Sequence, residues 1–179
     1  LMVAPGETFS FNANLGDINP EEGFVQGKII FGGRTIDGVG GGVCQVSTTA
    51  FRAALKAGYP IVERNSHGYR VGFYELNGSA PGLDAAIFQP TADFRFQNDT
   101  QYHLLIETSV FPADQSIQFR FYSTNPGRQV ILEGPVIRDT VPALAPIYQP
   151  NAQLQLGQEQ YVDWAKEGAD VPFTRRILD

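Results

Sequence analysis

The chain contains, at residues 40–58, the stretch GGGVCQVSTTAFRAALKAG, which predicts an amphipathic helix directly after three glycines. A stripe of apolar residues recurs along it at the spacing of one helix face, at Val46, Ala50, Phe51, Ala54 and Leu55. Gly58 supplies a stop, and Lys56 adds a positive charge in the last turn, where it suits the helix dipole. We therefore predict one principal helix over about residues 43–57.

The only cysteine of the chain, Cys44, falls in the first turn of this helix. The glycines before it allow the backbone to bend closely around a ligand. The unpaired amide groups and the positive end of a helix N-terminus favour a reactive thiol, and the amides of residues 41–44 are placed to stabilise an oxyanion. This position suits a nucleophile.

A structural role for Cys44 stays open beside the catalytic one. A lone cysteine in a globular domain is more often a small buried hydrophobe than a catalyst. Cys44 lies one residue off the apolar stripe, so it borders the core without having to lie inside it. The three glycines have no packing purpose of their own and cost backbone entropy, which favours a functional role.

Composition excludes several classes of protein. The 179 residues are 42% hydrophobic and 12% aromatic, enough for a substantial core. The net charge of −6, without long runs of either sign, argues against a surface for nucleic acid or an anionic membrane. A single cysteine excludes an internal disulfide. No stretch approaches the ~20 apolar residues of a membrane span and no signal peptide opens the chain, so we expect any membrane attachment to come from segments outside it.

The remaining patterns are β-rich and predict an α+β fold. Alternation or short apolar runs predict strands at residues 8–12, 28–31, 61–63, 69–74, 83–88, 93–97, 104–108, 117–122 and 128–133, with a glycine loop at 32–42. We expect a bent antiparallel sheet or partial barrel with the principal helix packed on it. The other predicted core residues are Phe9, Phe11, Ile29, Ile61, Val71, Phe73, Ile87, Phe94, Phe96, Leu105 and Phe119.

A change in composition after Gly134 predicts a domain boundary. Four prolines fall within residues 135–150, so this part should be extended and linker-like or at a sheet edge. We divide the chain into a domain over residues 1–134 and a Pro-rich segment with a C-terminal β appendage over residues 135–179. We expect the appendage, with one strand at 171–177, to belong to a truncated further module and to lie away from the chemistry.

A cysteine nucleophile needs a base within hydrogen-bond reach and a third group that orients the base. Of the two histidines, His67 lies in a polar corner between predicted strands and is the preferred base, whereas His103 suits the start of an apolar strand. Asp84 opens an apolar strand after a tight turn, an unusual place for a charge unless it is paired. We predict Cys44, His67 and Asp84 as catalytic residues, in a papain-like chemistry on another scaffold. The simpler alternative for His67 is a solvated loop histidine.

Polar groups around the thiol are candidate substrate-binding residues. Ser47 and Thr48 share the helix face of Cys44 and either line the pocket or only bond back to the helix. Gln45 either donates its amide to the substrate or faces solvent. The other candidates are Gly41, Gly42 and Val43 around the oxyanion, and Arg64 and Arg70 as clamps for a substrate carboxylate, against a plain surface role for either arginine.

Five stretches of the chain together resemble the VanW family of bacterial cell-envelope proteins: PGETFSFN, GGGVCQVSTTAF, IVERNSH, PGLDAAI and DFRFQNDT. The similarity runs from about residue 5 to residue 107, and the glycine–cysteine motif is highly specific. The family is associated with glycopeptide-resistance clusters, which implies a peptidoglycan context. The resemblance also implies an L,D-transpeptidase, with Cys44 as nucleophile, His67 as the matching histidine and Asp84 as the matching acid.

This chain departs from the family pattern in two places. Gly68 stands where members usually have serine after the histidine, so a hydroxyl contribution from that position is missing here. Residues 75–80 are longer than the usual segment. Neither change removes a proposed catalytic group.

The resemblance and the residues together predict acyl transfer through a cysteine thioester. Cys44 attacks the carbonyl of the third residue of a tetrapeptide stem and expels the terminal D-Ala, and an amine of a neighbouring stem resolves the thioester. His67 moves the protons. No metal or organic cofactor is required, and a zinc site of Cys44 with the two histidines lacks paired ligand spacing.

Two other functions stay open at this point: a non-catalytic peptidoglycan-binding module with a structural cysteine, and a cysteine hydrolase that cuts stem peptides. All three have peptidoglycan stem peptides as partners and imply an extracytoplasmic location in the bacterial cell envelope. The sequence specifies neither the acceptor nor the oligomeric state.

Overall fold

The computed structural model describes residues 1–178, and at residue 77 it describes the backbone alone. Its helices are α1 (Phe11–Leu15) and α2 (Val43–Ala57), with 3₁₀ turns at Pro20–Glu22, Gly72–Gly78 and Pro112–Asp114. Its strands are β1 (Met2–Val3), β2 (Thr8–Ser10), β3 (Gln26–Phe31), β4 (Arg34–Val39), β5 (Ile61–Glu63), β6 (Arg95–Gln97), β7 (Leu104–Phe111), β8 (Ser116–Tyr122), β9 (Gln129–Glu133), β10 (Arg138–Val141), β11 (Gly168–Asp170) and β12 (Thr174–Leu178).

The strands of residues 1–178 pair antiparallel in small sheets, of order β1–β7–β8, β2–β6–β5, β3–β4, β9–β12 and β10–β11. Helix α2 is the principal helix beside them. The predicted α+β class is therefore confirmed.

Helix α2 forms where the glycines and the apolar stripe predict it. Gly42 caps its N-terminus at φ +94° and Gly58 caps its C-terminus at φ +84°, backbone angles that a side chain disfavours. The buried face of the helix consists of Val43, Ser47, Thr48, Ala50, Phe51 and Ala54. The apolar face of α2 therefore packs on the core, and Cys44 lies at the edge of that buried face.

Aromatic rings join α2 to the sheet β2–β6–β5. Phe51 meets Phe94 edge-on with 5.7 Å between ring centroids. Phe9 stacks on Phe96 at 4.9 Å across the β2–β6 pair. Each fully buried Phe stabilises the fold by roughly 2–3 kcal/mol, so this cluster fixes α2 firmly on the sheet.

The structure corrects some local predictions. Phe73 is 57% exposed, because residues 69–74 form no strand and Phe73 lies in the 3₁₀ turn Gly72–Gly78. Leu105 is 41% exposed because Leu104 and Ile106 occupy the inward register of β7. Residues 83–88 form only isolated bridges in place of the predicted strand.

The predicted glycine loop at residues 32–42 contains strand β4, which forms a hairpin with β3. Gly32 and Gly33 make the two-residue turn at φ +57° and +75°. Gly41 then packs directly on Gly27 of β3, because a Cβ on Gly41 would lie 2.5 Å from the Gly27 Cα. This backbone contact fixes the hairpin beside the N-terminus of α2.

We expect the substitution Gly41→Ala to lower the free energy of unfolding by about 1–3 kcal/mol, because the hairpin backbone must move away from the new methyl group. Urea denaturation measures the change. Gly68→Ala is the matched control, since a Cβ there meets no atom within 4 Å. Equal midpoints for the two variants would contradict the contact.

The C-terminal segment packs back onto the rest of the chain. Strand β12 pairs with β9, and β10 pairs with β11. Arg175 donates hydrogen bonds to the carbonyls of Leu55 and Tyr59 at the end of α2. Within residues 1–178, no helix combines the length and apolar character needed to cross a bilayer.

Candidate active site

Cys44 lines a cavity of about 540 Å³. The walls are mainly the β3–β4 hairpin, the N-terminal turn of α2, residues 67–74, residues 87–89 and residues 163–166. The thiol is half-buried and points toward the Ile87 carbonyl oxygen, 3.5 Å from the sulfur. A cavity of this size holds a peptide fragment or another small ligand, and Cys44 is one of its lining residues.

His67 lies on the wall of the same cavity and is held by Asp84. The ring Nδ1 is 2.6 Å from Asp84 Oδ2, and the His67 backbone N–H donates to the same oxygen at 2.8 Å. The His67 side chain is only 3% exposed, and Tyr74 packs edge-on against its ring at 5.4 Å. The double contact fixes both the position of the imidazole and the nitrogen that faces Asp84.

The other ring nitrogen, Nε2 of His67, is buried and has no hydrogen-bond partner among the described residues. The Cys44 thiol is near enough to raise the pKa of the ring, but it is oriented toward Ile87 rather than along a hydrogen bond to Nε2. Burial lowers the pKa of His67, whereas the hydrogen bond and the charge of Asp84, together with the nearby Cys44, outweigh it and raise the pKa to about 9.

Arg64 holds Asp84 from the side opposite His67. Its guanidinium donates to Asp84 Oδ1 at 2.9 Å, to the Asp84 carbonyl at 2.6 Å and to the Gly82 carbonyl at 2.5 Å. Burial alone raises the pKa of Asp84, but the hydrogen bonds from His67 and the charge of Arg64 outweigh it and lower the pKa. Asp84 is therefore the paired charge that its position in the sequence suggests.

Arg64 and Arg70 differ from the predicted carboxylate clamps. Arg64 does not line the cavity, because its donors are occupied by Asp84 and the loop before it. Arg70 does line the cavity, but both arms of its guanidinium bond to Glu75 at 2.6 Å. In this structure Arg64 therefore contacts Asp84 and the loop before it and lies outside the cavity.

Ser47 and Thr48 are both buried and neither lines the cavity, and the Ser47 hydroxyl bonds back to the helix at the Cys44 carbonyl at 3.1 Å. The Ser47 hydroxyl donates to the Ala85 carbonyl at 2.5 Å, and Thr48 Oγ1 accepts the Ala85 N–H at 3.0 Å. These bonds attach the residue after Asp84 to helix α2, one turn beyond Cys44. They position the acid and the nucleophile relative to each other instead of contacting a ligand.

Among the described residues, the backbone N–H groups of Gly41, Gly42 and Cys44 at the helix start have no hydrogen-bond partner. The Val43 and Gln45 N–H groups donate to the Gly40 and Gly42 carbonyls at 3.2 Å and 2.9 Å. Gly42, Val43 and Gln45 line the cavity. Gly41 does not, because it faces Gly27. The Cys44 amide is thus the best-placed donor for an oxyanion at this sulfur.

Residues of the C-terminal segment line the cavity although the sequence places the appendage away from the chemistry. Asp163, Trp164 and Lys166 form part of the wall, and Asp163 accepts the Thr35 N–H at 2.9 Å. Tyr69, another wall residue without a predicted role, shares a hydrogen bond with the Thr35 hydroxyl. No periodic pattern or motif marks these residues, since they meet across 128 positions of sequence. In residues 1–178, no group of three His, Cys, Asp or Glu side chains is arranged to hold a metal ion.

Protein stability should fall at alkaline pH as His67 loses its proton. The folded pKa of about 9 lies above the ordinary 6.5, so this contribution is complete below pH 6.5 and disappears as the pH rises through about 9. At acid pH the lowered pKa of Asp84 has the corresponding effect. The stability that it contributes is lost as the pH drops below the ordinary value of 3.8. Urea denaturation across this range should show an alkaline loss of up to roughly 3 kcal/mol.

The matched variants for this pH profile are Asp84→Asn and His103→Gln. Asp84→Asn should remove most of the alkaline loss, because it removes the carboxylate that raises the pKa of His67. His103→Gln should leave the profile unchanged, because His103 is exposed and away from the cavity. Parallel profiles for the wild type and Asp84→Asn would contradict the pairing.

Comparison with known proteins places the chain in a family. Residues 1–122 match the family model described as VanW like protein. The chain is 43% identical over 116 residues to the uncharacterized protein YoaR of Bacillus subtilis (strain 168), which covers 65% of this chain and 37% of that protein. It is 32% identical over 101 residues to the vancomycin B-type resistance protein VanW of Enterococcus faecalis (strain ATCC 700802 / V583), which covers 56% of this chain and 36% of that protein.

The chain spans little more than a third of the length of these two curated relatives, at 37% and 36%. No solved structure is significantly similar to it. The family model nevertheless covers most of the chain, including Cys44, His67 and Asp84. This chain therefore belongs to the VanW family.

Proposed function

We propose that this protein catalyses acyl transfer through a Cys44 thioester on the tetrapeptide stems of peptidoglycan, an L,D-transpeptidase reaction in the bacterial cell envelope. One observation carries the proposal: His67 is oriented by Asp84 at 2.6 Å, and its buried Nε2 has no partner among the described residues on the cavity wall that also presents Cys44. A nucleophile, a base and an orienting acid in that order are what covalent acyl transfer requires.

In the first half-reaction, the thiol proton first passes to His67 Nε2, and the Cys44 sulfur then attacks the carbonyl carbon of the third stem residue. The tetrahedral intermediate collapses, the peptide C–N bond breaks, and His67 returns the proton to the departing D-Ala amine. The product of this step is a thioester between Cys44 and the shortened stem.

In the second half-reaction, the amine of a neighbouring stem attacks the thioester carbonyl. His67 takes a proton from this amine and returns it to the sulfur as the C–S bond breaks, which restores the thiol and leaves a new amide cross-link. The pKa of about 9 favours the ring that holds the thiol proton at neutral pH, and the ring becomes a base for the incoming amine once the departing D-Ala has taken this proton.

The oxyanion of both tetrahedral intermediates would accept the Cys44 N–H, which has no other partner among the described residues. One such donor lowers an acyl-transfer barrier by roughly 3–4 kcal/mol. Family membership adds a second line of support, because a relative named for vancomycin resistance fits a role in the cell envelope.

The test is incubation with a carbapenem followed by intact-mass measurement. We expect a covalent adduct, mapped by peptide mass to Cys44. Incubation with disaccharide-tetrapeptide then separates the reactions, since a cross-linked dimer indicates a transpeptidase and a disaccharide-tripeptide alone indicates a hydrolase. No adduct and no product would leave a peptidoglycan-binding module with a structural cysteine.

A further inference from the structure

We infer that residues 163–166 form a specificity wall of the cavity and that Lys166 binds a carboxylate of the peptide substrate. The identity of that peptide rests on the proposed function, whereas the anion preference of the cavity does not.

One contact within residues 163–166 and one a few residues beyond them hold this wall against the rest of the chain. Asp163 accepts the Thr35 N–H of strand β4 at 2.9 Å. Further along the chain, Val171 packs on Gly82 closely enough that a Cβ on that glycine would lie 2.9 Å from Val171 Cγ1. Residues 163–166 therefore cross from the hairpin toward the loop that carries Asp84, and Trp164 and Lys166 line the cavity between these attachments.

The charge of the cavity differs in sign from the charge of the chain. The chain carries a net charge of −6, yet the cavity is lined by the cations Lys28, Arg70 and Lys166 and by one carboxylate, Asp163. Asp163 stays ionised while it accepts the Thr35 N–H, and Asp84 balances the charge of protonated His67, so the lining cations outnumber the lining carboxylate. An anionic ligand is therefore favoured at this site over a cationic one.

Among the described residues, Lys166 is the one of the three cavity-lining lysine and arginine side chains that has no ion-pair partner. Lys28 pairs with Asp37 at 2.7 Å, and Arg70 pairs with Glu75 at 2.6 Å. Within residues 1–178, no ion pair or hydrogen bond engages the Lys166 ammonium. A carboxylate that enters the cavity would thus find its counter-charge at Lys166 while its peptide carbonyl lies at Cys44.

Alkylation of Cys44 tests this without any transpeptidase activity. Iodoacetate and iodoacetamide react with the same sulfur and differ by one negative charge. We expect Lys166→Glu to lower the ratio of the iodoacetate rate to the iodoacetamide rate by roughly five- to tenfold, and Lys166→Arg to keep it near the wild-type value. The effect should shrink as salt is added.

Lys56→Glu is the matched control, because it reverses an exposed lysine at the far end of α2. An unchanged ratio in Lys166→Glu, or an equal change in Lys56→Glu, would overturn the inference. A thiol that reacts with neither reagent would also overturn it, since the cavity would then be closed.

The fluorescence of Trp164, the only tryptophan, gives a second readout in the same wall. We expect a stem tetrapeptide with a free carboxylate to bind at least roughly fivefold more tightly than its C-terminal amide, and Lys166→Glu to abolish the difference. Equal affinities in the wild type would contradict the inference. A Lys166-dependent alkylation ratio without cross-linked product would refute the transpeptidase proposal and leave the anion site in place.

Discussion

The substitution Cys44→Ala should abolish both the carbapenem adduct and the cross-linked product. Cys44 is the only cysteine of the chain, so no second thiol can replace it. Ser47, the nearest hydroxyl on the same helix face, is buried and donates to the Ala85 carbonyl, so it cannot act in its place. Intact-mass measurement and product chromatography report the two losses.

The substitution Cys44→Ser tests the nucleophilicity of the side chain while its size and position stay nearly the same. A serine keeps the size and position of the side chain, but its hydroxyl is a far weaker nucleophile than a thiol at neutral pH, so the rate should fall roughly 10³-fold or more. Thr49→Ala is the control on the same helix, because Thr49 does not line the cavity and bonds back only to the Gln45 carbonyl. It should keep the wild-type rate.

The fold of these Cys44 variants should change little. The side chain is half-buried at the edge of the core, so either substitution should cost about 1 kcal/mol or less. Circular dichroism and urea denaturation check this. Wild-type product from Cys44→Ala would show that the sulfur is not the nucleophile.

The sequence predicts α2 well because two independent signals agree. The apolar stripe has the helical period, and glycines mark both ends, Gly42 at φ +94° and Gly58 at φ +84°. The inward aromatic positions of β2 and β6, Phe9 and Phe96, follow from strand alternation in the same way. Local periodicity is enough where one face of an element packs on the core.

Other parts of the fold depend on contacts that no local pattern specifies. The hairpin turn at Gly32 and Gly33 is a two-residue glycine signal, but the glycines that follow make residues 32–42 look like a continuous loop. The segment at 69–74 alternates like a strand, yet Tyr74 turns toward His67 within a 3₁₀ turn. There the contact with the buried imidazole prevails over the alternation.

Some residues of the candidate site can likewise be predicted from local patterns, whereas others depend on long-range contacts. Asp84 is detectable because a charge that opens an apolar strand needs a partner, and the partners are His67 and Arg64. The sequence does not show which carboxylate the Arg64 guanidinium contacts. An arginine in a polar corner suits a substrate carboxylate as well as a protein carboxylate 20 residues away. Lys166 joins the cavity only through the long-range attachment of Asp163 to Thr35.

Asp84→Asn should lower the rate of Cys44 acylation roughly 10²–10⁴-fold. The carboxylate holds His67 Nδ1 at 2.6 Å, which leaves Nε2 free to receive the thiol proton, and it raises the pKa of the ring. An asparagine that turns its NH₂ group toward Nδ1 favours the tautomer with the proton on Nε2, which cannot accept another. The rate of carbapenem adduct formation, followed by mass against pH, measures the loss.

Asp93→Asn is the matched control for this loss, because Asp93 is also a buried carboxylate but does not line the cavity of Cys44. It accepts the Ser10 hydroxyl at 2.6 Å and the Asn12 N–H at 2.9 Å, so its substitution should lower stability and leave the acylation rate per folded molecule unchanged. Asp84→Asn, in contrast, should lower the acylation rate per folded molecule. It should also shift the pH dependence of that rate, because the pKa of His67 falls when the carboxylate is removed. A loss of stability with an unmoved pH profile would reduce Asp84 to a structural partner of Arg64, and His67 would then act without an orienting acid.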